Sequence, residues 1–125
     1  MSLFKKVDAV LLHASDLEAA KKFYGEELGH ELRWQNDDAV AFKLGDSELV
    51  ISKKLNPEVD LLVDSVEEAI KQITDLGGKV ILPPEDLPVG KVGIVQDLFG
   101  NKLTLVDLSR GTYKTDADGN ILEVS

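Results

Sequence analysis

Val7-Asp8-Ala9-Val10-Leu11-Leu12-His13-Ala14-Ser15-Asp16-Leu17-Glu18-Ala19-Ala20, running on to Leu28-Gly29, holds an apolar strand, a helix cap, an amphipathic helix and a Leu-Gly stop. About 49 residues later the same order returns as Glu58-Val59-Asp60-Leu61-Leu62-Val63-Asp64-Ser65-Val66-Glu67-Glu68-Ala69, running on to Leu76-Gly77. In the first copy Ser15-x-x-Glu18 has the form of a capping box, with the hydroxyl and the carboxylate each taking a free N–H. Leu17, Ala20, Phe23 or Tyr24, and Leu28 follow at helical spacing. Gly29 stands where a helix needs a left-handed residue to end. In the second copy Asp64-x-x-Glu67 is the equivalent cap. Val66, Ala69, Ile70, Ile73 and Leu76 form the apolar stripe, and Gly77-Gly78 ends it.

Short strands fill the intervals. Glu31 to Trp34, Ala39 to Leu44 and Glu48 to Ser52 read as strands, with turns at Asn36-Asp37-Asp38 and Gly45-Asp46. In the second copy the strands are Val59 to Val63, Val80 to Leu82, Lys91 to Gln96 and Lys102 to Leu108. Pro83-Pro84-Glu85-Asp86-Leu87-Pro88 reads as a loop, because proline lacks the ladder N–H. The order βαβββ therefore occurs twice. The first module covers about residues 5–54 and the second about 57–108. Residues 109–125 form a polar tail with one short turn or strand, all within a single domain spanning 1–125.

The bulk numbers narrow the function classes. A chain of 125 residues with 43% hydrophobic and 30% charged residues is an ordinary globular domain. It has no cysteine, which removes disulfides, thiol nucleophiles and Cys-ligated metals. No apolar run approaches the roughly 18 residues of a membrane span. Met1-Ser2-Leu3-Phe4-Lys5-Lys6 lacks the apolar stretch of a secretory signal. The expectation is a cytoplasmic protein without a membrane partner. A net charge of −9 and a pI near 4.6 argue against nucleic acid, whose phosphates need basic clusters.

Two stretches resemble those of the vicinal oxygen chelate superfamily, which includes glyoxalase I, bleomycin resistance proteins and extradiol dioxygenases. Ala14-Ser15-Asp16-Leu17-Glu18-Ala19-Ala20-x-x-Phe23-Tyr24-x-x-x-Leu28-Gly29 is similar to the family's V-S-D-x-x-x-A-x-x-F-Y-x-x-x-L-G. Val95-Gln96-Asp97-Leu98-Phe99-Gly100-Asn101-Lys102-Leu103 is similar to its D-P-x-G-N-x-L-E. The resemblance implies an α+β fold in which two βαβββ modules form an open, partly closed eight-stranded mixed β-barrel with helices outside. It also implies a small-molecule ligand in the barrel cavity and a homodimer.

Metal-dependent members take ligands from the first and last strands of each module. The first-strand position, seven residues before Asp16, is Ala9, whose methyl group has no lone pair. The last-strand position is Thr104, whose neutral hydroxyl replaces a carboxylate. Glu58 is the second-module equivalent of Ala9, and Asp60 shares its face two residues on. Glu48 is the only candidate on the fourth strand and sits two or three residues early. Glu58, Asp60 and Glu48 are thus weak metal candidates, and no cofactor is expected. His13 and His30 fall at no ligand position, which argues against an extradiol dioxygenase.

Other residues suit ligand contact. His13 alternates onto the face of Ala9 and Leu11, where it serves as hydrogen-bond donor or general base. Trp34 offers a surface for stacking, with Phe42 in the same role. Gln96 and Thr104 add polar contacts. Asp116-Ala117-Asp118-Gly119-Asn120 lacks calcium-loop spacing and reads as a turn. The expected function is binding of a small organic ligand without a catalytic metal. The alternatives are a glyoxalase I-type lyase or isomerase with a non-standard metal set, and a metal-free enzyme using His13.

Overall fold

A computed structural model describes residues 2–125. Strand β1 (Lys6–His13) leads to helix α1 (Leu17–Ala20), which continues as a π-helix over Lys21–Glu27. Strands β2 (Leu32–Gln35), β3 (Ala39–Leu44) and β4 (Ser47–Ser52) complete the first module. The second repeats the order with β5 (Glu58–Leu62), α2 (Val66–Asp75), β6 (Lys79–Leu87), β7 (Gly90–Gln96) and β8 (Lys102–Asp107). The fold class is α+β, with βαβββ written twice as the sequence indicates.

Two compact units result. One holds Ala9–Glu58 together with Tyr113–Glu123; the other holds Val59–Thr112, Val124–Ser125 and the residues before Ala9. The segment expected to be a polar tail is therefore structured. It forms β9 (Tyr113–Thr115) and β10 (Ile121–Val124), which pair as a two-stranded sheet. Among the described residues no helix is long and apolar enough to cross a membrane.

In the first module β2, β3 and β4 pair antiparallel, and β4 runs parallel to β1. One face carries Ala20 from the helix and Val40, Phe42, Leu49 and Ile51 from the sheet, with Leu17 and Tyr24 packed against them. The helix cap lies one residue later than expected. The Asp16 carboxylate accepts the Ala19 N–H at 3.1 Å, because Asp16 is the last extended residue before the helix (φ −110°, ψ 99°). The π-helix widens the following turns, so the Leu28 N–H reaches back five residues to the Phe23 carbonyl at 2.9 Å. Of the two aromatic candidates for the buried stripe, Tyr24 turns toward Phe42, with ring centroids 6.2 Å apart. Phe23 remains exposed.

The second module orders its strands β5-β8-β7-β6. Here Ser65 is the cap, its hydroxyl accepting the Glu68 N–H at 3.3 Å. Val66, Ala69 and Ile70 of α2 are buried against Val63, Val95 and Leu105. Burying each of the larger side chains contributes roughly 1.5–3 kcal/mol. Gly93 on β7 makes the close approach possible, because a Cβ there would stand 2.8 Å from Ile70 Cδ1 and 3.0 Å from Val66 Cγ1. Buried Asp107 ties three segments together: its carboxylate accepts from the N–H groups of Val66 (2.9 Å) and Lys91 (3.0 Å) and from the Ser109 hydroxyl (2.7 Å).

The proline-rich stretch departs from expectation. Pro83 and Pro84 lie inside β6 rather than in a loop. Within this module β6 is the terminal strand, bonded to β7 only, and its register slips between Val80 and Leu82 and between Leu82 and Glu85. A missing donor is tolerated at such bulged edge positions.

Candidate functional site

Strand register decides which side chains share the helix-free face of each module. In the first module Ala9 stands opposite Glu48, Leu11 opposite Val50 and His13 opposite Ser52. Glu48, Val50 and Ser52 stand opposite Lys43, Ala41 and Ala39, and Trp34 of β2 is the partner of Ala41. Three alanines on this face leave room for one large ring. Trp34 fills it, packing against Ala9, Leu11, Ala39, Ala41 and Val50. The indole Nε1–H donates to Glu48 Oε1 at 3.1 Å.

A second ring completes the corner. Tyr113 of β9 meets Trp34 with centroids 5.3 Å apart and planes at 63°, an edge-to-face contact. Burial pushes the Tyr113 phenol up from its usual range, and the charge of Glu48 adds to this. The hairpin that brings Tyr113 is fastened to β2. The Gln35 N–H donates to the Gly119 carbonyl at 2.8 Å, and Gln35 Nε2 donates to the Asp118 carbonyl at 2.9 Å.

The hairpin's turn has a twin. Asp116 Oδ1 accepts the N–H groups of Asp118 and Asn120, as Asp97 Oδ1 accepts those of Phe99 and Asn101. Both turns place glycine in the left-handed region, Gly119 at φ +85° and Gly100 at φ +91°. Reading Asp116 to Asn120 as a turn is therefore upheld. The repeated D-x-x-G-N spacing was the signal that a strand pair, and with it Tyr113, follows β8.

The remaining candidates separate. His13 is exposed at the end of β1; its neighbour Ser52 is buried, with its hydroxyl accepting the N–H groups of Lys54 and Leu55. Phe42 is not grouped with Trp34. It is the β3 residue after Ala41, so it points to the helix side and lies in the core beside Tyr24. In the second module Asp60 stands opposite Thr104, and Thr104 opposite Ile94 on β7. Gln96 alternates onto that face at the strand's end, opposite Lys102. Glu58 opens β5, half-buried, two residues before Asp60. His30 is half-buried, and its N–H donates to the Tyr24 carbonyl at 3.0 Å.

The closing register pairs, His13 with Ser52 and Leu62 with Val106, allow the modules to be matched place by place. Val50 then corresponds to Thr104, and Glu48 lies two residues before that place, as its spacing in the sequence indicates. Among the described residues no three His, Asp or Glu side chains converge as a metal-holding group.

These features define an α+β protein built from two βαβββ modules. A model of the Glyoxalase/Bleomycin resistance protein/Dioxygenase superfamily matches residues 6–105, and the chain belongs to that superfamily. No curated protein matches it. Among solved structures, a hypothetical protein from Bacillus halodurans C-125 is similar at TM-score 0.70 and 14% identity, over 89% of this chain and 97% of that one. Methylmalonyl-CoA epimerase from Mycobacterium tuberculosis is similar at TM-score 0.67 and 14% identity, over 86% and 90%. A glyoxalase/bleomycin resistance protein/dioxygenase superfamily member from Vibrio splendidus 12B01 gives TM-score 0.62 and 16% identity, over 82% and 97%. At such identities the likeness speaks to fold alone.

Proposed function

We propose that this protein binds a small organic molecule against the helix-free face of its first module and performs no metal-centred reaction. The observation that carries the reading is the Trp34–Glu48 pair. The carboxylate nearest a fourth-strand ligand position is engaged by an indole N–H at 3.1 Å, while Ala9 and Thr104 stand where the superfamily's metal-dependent members carry ligands. Trp34 and Tyr113 supply apolar surface, and His13 and Glu48 supply polar groups at its margin.

The test pairs calorimetry with thermal shift. Ni²⁺, Zn²⁺ and Mn²⁺ are expected to show no stoichiometric micromolar binding. A screen of small aromatics and antibiotics is expected to yield a compound that raises Tm, since a ligand of the folded state stabilises it by mass action. Micromolar metal binding together with chelator-sensitive turnover of the methylglyoxal–glutathione adduct would overturn the proposal.

The rival reading is a lyase or isomerase with a displaced metal set. Its support is Asp60 beside Thr104, with Glu58 on the same face of β5. Turnover that vanishes in Glu58→Ala would favour it; unchanged turnover would remove that residue from the mechanism. A homodimer in the cytoplasm completes the proposal, its state to be read by light scattering on the purified chain.

A further inference from the structure

Tyr113 lies outside residues 6–105, the stretch that matches the superfamily. The family match therefore says nothing about its position. The hairpin brings it to a place where the first module has both an aromatic ring and a carboxylate on its helix-free face. Trp34, Tyr113 and Glu48 are each half-buried, so the three groups retain accessible surface. Two rings inclined at 63° with centroids 5.3 Å apart, and a carboxylate bonded to one of them, make a corner of negative potential with apolar walls. Ring faces attract cations electrostatically, most strongly when the ring is Trp. A net charge of −9 adds long-range attraction for the same sign of ligand. Lys43 is the register partner of Glu48, and its charge would compete with a cationic ligand there.

We infer that Trp34, Tyr113 and Glu48 form a subsite for an organic cation, a quaternary ammonium or protonated amine group, and that the C-terminal hairpin is part of it. The inference rests on the ligand-binding function proposed above and names the class of ligand. The rings hold the alkyl groups around the charged nitrogen, and Glu48 faces its charge. A neutral molecule of the same shape gains the apolar contact only. Tyr113 contacts the ligand directly, and Gln35 positions it by holding the hairpin on β2.

Trp34 is the only tryptophan in the chain, so its fluorescence reports this corner alone. The full-length protein is titrated with choline and with its uncharged isostere 3,3-dimethylbutan-1-ol. Choline is expected to change the Trp34 emission saturably, with an affinity at least tenfold above that of the isostere. Tyr113→Ala and Glu48→Gln should each weaken choline at least fivefold. Tyr113→Phe should retain more affinity than Tyr113→Ala, and Lys43→Gln should tighten binding. Tyr24→Phe, on the opposite side of the module, should change nothing, and far-UV circular dichroism checks that each variant folds. Equal affinity for choline and the isostere, or an unchanged affinity in Tyr113→Ala, would overturn the inference. If neutral aromatics still bind in that case, the proposed ligand-binding function stands without its cation selectivity. If no compound moves Trp34 emission or Tm, both fall.

Discussion

On the helix-free face of the first module the two parallel strands carry Ala9, Leu11 and His13 beside Glu48, Val50 and Ser52. The matching places in the second module hold Glu58, Asp60 and Leu62 beside Lys102, Thr104 and Val106. At five of these six places one module is apolar where the other is polar or charged; at the sixth, Glu48 answers to Lys102. The helix sides show no such exchange. Each is an apolar core closed by a helix whose first turn is capped by the side chain just before it. Duplication has thus preserved what folding needs on one face and left the other free to diverge.

The strongest way to break the comparison is at Asp107. It has no counterpart in the first module, where the matching position after Ser52 is Lys53. Asp107→Ala leaves the Val66 and Lys91 N–H groups without their acceptor and should cost about 3 kcal/mol, read by urea denaturation. Burial pushes the Asp107 carboxyl up, but the N–H groups of Val66, Ser109 and Lys91 and the Ser109 hydroxyl outweigh it and hold the pKa below the usual carboxylate range. A depressed folded pKa means the stabilisation is complete above the unfolded value of about 3.9 and is lost as pH falls through the lower folded value. Asp107→Asn should remove that part of the acid dependence. If its stability curve below pH 4 runs parallel to that of the unmodified chain, the assignment fails.

Ending the chain at Thr112 tests the other asymmetry, the hairpin whose residues Tyr113–Glu123 group with the first module. It removes the Trp34–Tyr113 contact and the Gln35 hydrogen bonds, and should cost roughly 2 kcal/mol. Trp34 emission should shift to the red, and hydrogen exchange should speed up in β2 and β3 but not in β7 and β8. Equal loss of protection in both strand pairs would mean that the hairpin is not a first-module element.

What was legible in the sequence follows the same division. The caps, Leu-Gly stops and strand periods are local signals, and the element bounds they indicate lie within a residue or two of those in the structure, except at β6. The cap slipped by one because Ser15 and Asp16 both carry a capping side chain, and only backbone geometry chooses between them. Pro83 and Pro84 read as loop in the sequence, because a strand's edge position is a property of the sheet rather than of the segment. Residue type alone pairs Phe42 with Trp34, but the β-bulge between Leu32 and Trp34 sets Trp34 opposite Ala41, and alternation along β3 turns Phe42 to the other face. Tyr113 escaped notice because a three-residue strand in polar surroundings has almost no pattern, and its turn is recognisable only beside its twin at Asp97.

The helices offer a finer contrast. Ala69 of α2 is fully buried, whereas the π-helix has Gly25, at which a Cβ would come 3.2 Å from Phe42 Cε1. Gly→Ala inside a helix ordinarily gains about 1 kcal/mol. At position 25 the gain should vanish or reverse, because Phe42 is fully buried and has no room to retreat. A rise in Tm of several degrees in Gly25→Ala would show that the ring yields and that the glycine answers to the π-helix backbone instead.

The caps are the place where the modules should behave alike. Asp16 and Ser65 accept from Ala19 and Glu68 at 3.1 and 3.3 Å, each three residues on. Asp16→Ala and Ser65→Ala should therefore each cost about 1 kcal/mol, while Ser15→Ala and Asp64→Ala stay within about 0.5 kcal/mol. The two caps share no partner, so the double variant should lose the sum of the single losses. A cost confined to one module would mean that the helices are not equivalent in their first turn. The exchange of polarity on the opposite face would then be one part of a wider divergence, and the helix sides could no longer serve as its fixed reference.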